Sequence, residues 1–214
     1  MAKTYSEFED ARGVRRETLS LVEGLDQRQS EHRTEPGKWS VGEVLDHLAK
    51  LDALIVRELE VALNQRRRGL PFIYRGVADI DTTFPWVLRP VLPFFEVPFS
   101  VFNTVLPQSV RRAFTGNRSI PLQAPGVIAP RAGRSIDTLR RELDTTFRTL
   151  EQQQADNPQI DLDRVYYYNP ITGLATVAGM YRFVSNHEER HQGQLRDILG
   201  DASFPEPSKR VHAA

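Results

Sequence analysis

The sequence predicts an all-α protein, a four-helix bundle with a long proline- and aromatic-rich crossover between its second and third helices. Four stretches repeat apolar residues every three or four positions, the spacing that lays one stripe of a helix against a core. Nine of the fourteen prolines gather between Gly69 and Gly133, and each removes a backbone donor and crowds the preceding turn, so no single long helix crosses that region. No run reads convincingly as a strand.

The first helix is expected over residues 5 to 25, where Phe8, Ala11, Val14, Thr18, Val22 and Leu25 share a face. A polar connector with the turn signal Pro36-Gly37 follows. Ser40 and Glu43 then form a capping box, serine oxygen to one amide and carboxylate back to the other, with Trp39 and Val44 at the staple positions. That helix should run from Ser40 to about Arg66. In the 69 to 133 segment, prolines at first-turn positions allow short helices such as 98 to 106 and 108 to 114. Its apolar side chains, Phe84, Trp86, Phe94, Phe95, Phe99 and Phe102 among them, suit either a cover over one end of the bundle or a lid, pocket wall or partner surface. Leu139, Leu143, Phe147 and Leu150 mark a third helix from Ser135 to Gln154. Tyr166-Tyr167-Tyr168-Asn169-Pro170 reads as an aromatic connector, and Thr176 as the N-cap of a last helix ending at Gly200. One domain over 1 to 200 and a disordered tail over 201 to 214 complete the expected organisation.

Composition narrows the function. Lysine plus arginine equals aspartate plus glutamate at 28 each, which gives no basic surface for nucleic acid or anionic lipid. No stretch approaches the roughly 20 apolar residues of a spanning helix, and no secretory leader opens the chain, so a soluble cytoplasmic protein is expected. Cysteine is absent, leaving imidazole and carboxylate as metal ligands.

His187 and His191 lie four residues apart on the stripe Met180, Val184, His187, His191, Leu195, Ile198, so both rings face the core on one side of a helix. Buried imidazoles are either neutral and hydrogen-bonded or held by a cation. His47 is the third histidine on an apolar stripe, with Val44, Leu51 and Leu54 on a different helix, whereas His32 sits in the connector and His212 in the tail. Three imidazoles from two helices would leave an open coordination position on a divalent ion, and a bound water there has its pKa lowered to about 7. Glu188 turns the pair into His-Glu-x-x-His, the zincin pattern in which the glutamate is the general base; the alternative is a solvated residue about one hundred degrees round the helix. In a zincin-like site Asp197 is the available third ligand, which leaves His47 without a role. Asp46, Glu43 and Gln194 are either ligand-orienting groups or cap and surface residues.

The segments Trp39-Ser40-x-x-Glu43-x-x-x-His47-Leu48, Asn169-Pro170-x-x-Gly173 and His187-x-x-x-His191-x-Gly193-Gln194-Leu195 resemble the DinB-like (DinB/YfiT) superfamily. That resemblance covers most of the chain in helix order, with a longer, more proline-rich crossover. It implies a four-helix bundle holding one divalent metal, zinc or nickel, on His47, His187 and His191, and often a homodimer. It further implies a metal-dependent transferase or isomerase that uses a low-molecular-weight thiol on a small-molecule substrate, or else a hydrolase. A bundle with a structural metal, or one that binds a partner through the apolar crossover, is the non-enzymatic reading.

Overall fold

The computed structural model describes residues 3–70, 72–76, 79, 126–169 and 173–208. Among these, four long helices make the bundle: α1 (Ser6–Leu21), α3 (Val41–Arg67), α4 (Ile136–Ala155) and α5 (Val177–Leu199). The one-and-a-half-turn α2 (Gln27–Glu31) lies between the first two. Helix α1 packs along α5, and α3 along α4 and α5.

Local signals set these boundaries. Ser40 caps α3 as its sequence requires, Oγ accepting from the Glu43 amide at 3.2 Å while the Ser40 amide donates to the Glu43 carboxylate at 2.8 Å. Thr176 caps α5 by accepting from the Gly179 amide. Helix α2, within what the sequence suggested was a plain connector, has its own capping box between Asp26 and Gln29. Its close approach to α3 is permitted by Gly42, where a Cβ would meet Ser30 Oγ at 2.7 Å.

Three short strands correct the expectation of a strand-free chain. They are β1 (Phe72–Tyr74), β2 (Tyr166–Asn169) and β3 (Gly173–Thr176), with β2 central, parallel to β1 and antiparallel to β3. The tyrosine run is therefore a strand. Tyr166 is exposed while Tyr167 and Tyr168 are buried, the Tyr167 hydroxyl donating to Glu58 at 2.7 Å, a difference of environment that three identical side chains conceal in the sequence. The suggested short helices over 98 to 106 and 108 to 114, and the aromatic cluster around them, lie outside the described residues.

Residues 201 to 208, expected to be disordered, are tied to α2 and its flanks. Gln29 donates to the Pro205 carbonyl at 2.9 Å and the Ser208 amide to Asp26 at 2.7 Å, while the Phe204 ring meets that of His32 edge-on. A proline carbonyl, a serine amide and one aromatic ring give a polar tail anchors that composition does not reveal.

The core is split. One apolar cluster joins Phe8 and Ala11 of α1, Leu51 to Leu63 of α3, Phe147 and Leu150 of α4, and Val177 to Val184 of α5; the other joins Val22, Val41 to Ala49, Leu139 and Leu143, and Leu195 and Ile198. Where the two meet fall the buried polar residues Arg15 and Thr18, Asp46, His47 and Asp52, and Ser185, Glu188, His191 and Gln192. A polar layer thus crosses the middle of the bundle.

Replacing Ser40 with alanine removes one half of the α3 cap and should lower the unfolding free energy by about 0.5–2 kcal/mol. The readout is a lower urea midpoint at unchanged m-value. An unmoved midpoint would show that the serine oxygen contributes nothing to this helix start.

Candidate metal centre

The polar layer brings His47, His187 and His191 together, with one ring nitrogen from each lying within 4.8 Å of the others. Ring centroids are 4.6 to 5.1 Å apart, and His47 Nε2 lies 3.3 Å from His187 Nε2. Two of the rings have a fixed tautomer. His47 Nδ1–H donates to the Ile128 carbonyl at 2.8 Å, and His191 Nδ1–H to Gln194 Oε1 at 3.0 Å, so each presents the lone pair of Nε2. Among the described residues, His187 Nδ1 is buried without a hydrogen-bond partner.

Aromatic side chains wall the cluster. Trp39, expected only as a staple residue, stacks on His191 with centroids 5.9 Å apart and leans on His47 at 5.0 Å, while Phe183 lies 5.7 Å from His187. Burial is the main reason all three imidazoles resist protonation. It lowers His191 to about 3, with the neighbouring His47 adding to the effect. It puts His187 well below the ordinary range, and lowers His47 with help from the charge on Lys50, against the raising effect of the Ile128 carbonyl. At neutral pH the cluster is three neutral nitrogen donors, two already aimed, which fits a borderline divalent cation. Three buried histidines in this arrangement can hold a metal ion.

The zincin reading meets two obstacles. Asp197 is exposed and stands apart from the cluster, whose third member is His47. Glu188 is 1% exposed, so it is not the solvated residue that the sequence allowed. Both its oxygens are taken by Arg15, Nε to Oε1 at 2.7 Å and Nη2 to Oε2 at 2.9 Å. The same guanidinium donates through Nη1 to Asp52 at 2.6 Å and to the Leu143 carbonyl at 2.8 Å. The step of one hundred degrees from His187 to Glu188 turns the carboxylate from the imidazoles to α1. Sequence reading missed Arg15 and Asp52, because their partnership with Glu188 is made across the fold.

Of the remaining candidates, Gln194 orients a ring, as already described. Asp46 is fully buried on α3. Glu43 completes the cap and meets Arg33.

A family model described as the DinB superfamily matches residues 11–195. The protein YuaE of Bacillus subtilis (strain 168), described as uncharacterized, is 25% identical over 186 residues, which span 86% of this chain and 92% of that protein. No solved structure matches the chain significantly. No helix among the described residues is long and apolar enough to cross a membrane.

Burial raises the Asp52 carboxyl to about 6, against the opposing pull of Arg15. A folded-state pKa above that of the unfolded chain means the folded protein keeps a proton the unfolded chain has released. That contribution to stability is complete below about pH 4 and is lost as the pH rises through about 6. Asp52→Asn has no such loss. Its unfolding free energy relative to wild type should therefore climb by on the order of 2 kcal/mol from pH 4 to 7. Urea melts at several pH values read this out, and parallel curves for the two proteins would show that Asp52 ionises normally.

Proposed function

This chain belongs to the DinB superfamily, and from that premise we propose that it is a metal-dependent transferase acting with a low-molecular-weight thiol on a small electrophilic substrate. His47, His187 and His191 are the ligands of one divalent ion, zinc or nickel by the softness of an all-imidazole set. A divalent ion there supplies an open Lewis-acidic position that lowers the pKa of a bound thiol or water.

The observation that carries the reading is the disposition of Glu188. A hydrolase that splits peptides in the zincin manner needs a carboxylate free to take the proton of the attacking water. Here both carboxylate oxygens of Glu188 are committed to a buried guanidinium, and releasing either would strand the Arg15 charge in the core. Thiol chemistry makes a smaller demand on the protein. A thiol has an ordinary pKa near 8.5, so a modest lowering yields the nucleophile at neutral pH without a protein base. In this reading the histidines orient the ion, Trp39 and Phe183 keep water from the ring edges, and Glu188 positions α5 through Arg15 rather than exchanging protons.

Hydrolysis by an activated water remains the second reading, favoured by the same three-nitrogen set, with no role for Glu188 as base.

Purified protein should carry about one equivalent of zinc or nickel by elemental analysis. His47→Ala and His191→Ala should each lose most of it. Metal-loaded protein, but not the chelator-treated form, should gain several degrees in melting temperature with saturating thiol, by preferential binding to the folded state. An equivalent of metal retained after both histidines are removed would overturn the site. Indifference to every thiol, together with turnover of model esters, would move the assignment to hydrolysis.

A further inference from the structure

His47 owes its tautomer to a carbonyl on a separate piece of chain, the strap from Gly126 to Arg134 that leads into α4. A short turn lying on a helix surface has little to fix it, and a carbonyl that drifts by an ångström ceases to be a hydrogen-bond acceptor for a given ring. Three more hydrogen bonds from one stretch of α3 hold this strap, beside the one that Gln27 of α2 donates to the Arg134 carbonyl at 3.2 Å. Asp46, 0% exposed, accepts from the Arg131 amide at 2.6 Å on Oδ2 and from Arg134 Nη1 at 2.9 Å on Oδ1. Lys50, one turn on, meets Asp46 Oδ2 at 2.7 Å and donates to the Ala129 carbonyl at 2.5 Å.

We propose that Asp46 is a positioning residue of the metal centre, which holds the strap so that the Ile128 carbonyl keeps His47 as the Nδ1–H tautomer with Nε2 aimed into the cluster. The inference rests on the metal-binding reading for its functional meaning and on the hydrogen bonds alone for its structural content. Asp46 and His47 are neighbours in sequence that point to different sides of α3, so the carboxylate acts on the ring by a detour: carboxylate to strap amide, strap carbonyl to imidazole. It is the counterpart of Gln194, which does the same task for His191 directly from within α5. Both Asp46 oxygens are spent on the strap and its lysine, and among the described residues the carboxylate makes no hydrogen bond to the ring. The buried carboxylate is itself held charged: burial alone would raise its pKa, but Lys50, Arg134 and the Arg131 amide together bring it below the usual range.

The test uses the full chain, metal-free and loaded with zinc alone. In Asp46→Asn the strap loses its charged anchor. The metal-free variant should show, by long-range nitrogen–proton correlation of the imidazoles, a His47 that has lost its single Nδ1–H form. Zinc affinity, measured by competition with a chromophoric chelator, should fall 10- to 100-fold, as for ligand-supporting residues generally. Arg134→Met, a partly exposed position, should move both readouts the same way by less, and decides the matter should Asp46→Asn fail to fold. Glu142→Gln, which touches only Arg134 from the exposed face of α4, should leave the His47 spectrum unchanged. Wild-type zinc affinity and an unaltered His47 tautomer in the Asp46 and Arg134 variants would overturn the proposal and leave the metal site standing. A wild type that binds no zinc would defeat the functional reading instead, and the metal-free spectra would still decide whether Asp46 sets the ring.

Discussion

The Arg15 guanidinium ties all four long helices to one point. From α1 it reaches the Glu188 carboxylate on α5, Asp52 on α3 and the Leu143 carbonyl on α4. A cation taken out of water is tolerated only when it is well paired, and here four donor–acceptor contacts occupy most of its five N–H groups. The result is directional. Apolar helices can slide or rotate a little against each other with small change in buried area, but these bonds allow one register of α3 against α5. Those are the helices that carry the imidazoles, so the convergence of three rings depends on a charge cluster beside them that contains no ligand.

The bundle and its ligands were legible for a common reason: both follow from spacing within one helix. Apolar periodicity gave the four long helices, the Ser40–Glu43 box gave the start of α3, and Thr176 the start of α5. The four-residue step between His187 and His191, with His47 on its own apolar stripe, was enough to bring out the three rings that the structure unites. What stayed hidden depends on pairing between distant parts of the chain. Arg15 looked like one of many charges on an amphipathic helix, and Glu188 like part of a known motif, until their mutual contact showed that neither faces solvent. Strand β2 was concealed because three tyrosines in a row carry no alternation, and in the fold one is exposed and two are buried. The pinned tail and the carbonyl of Ile128 are backbone matters, to which side-chain patterns are blind.

The supports of the two ordered rings differ in kind. His191 leans on a residue of its own helix, three positions away, so that support forms whenever α5 forms. His47 leans on the strap, which takes its place only once α3, α4 and their connection are assembled. Among the described residues, His187 leans on nothing through Nδ1. The cluster therefore grades from a ring that is locally supported to one whose support is completed by tertiary structure.

The withdrawal of Glu188 into a pairing with Arg15 also has an electrostatic result. With no carboxylate among the three clustered rings, uncharged nitrogens would leave a divalent ion held there its entire double positive charge, in buried surroundings whose low polarisability would let that field extend to whatever approached next. A site charged in that way would rank its visitors by sign: anionic sulfur and anionic oxygen would be drawn in, ammonium groups turned away, and chloride or phosphate in a buffer would compete at the ion.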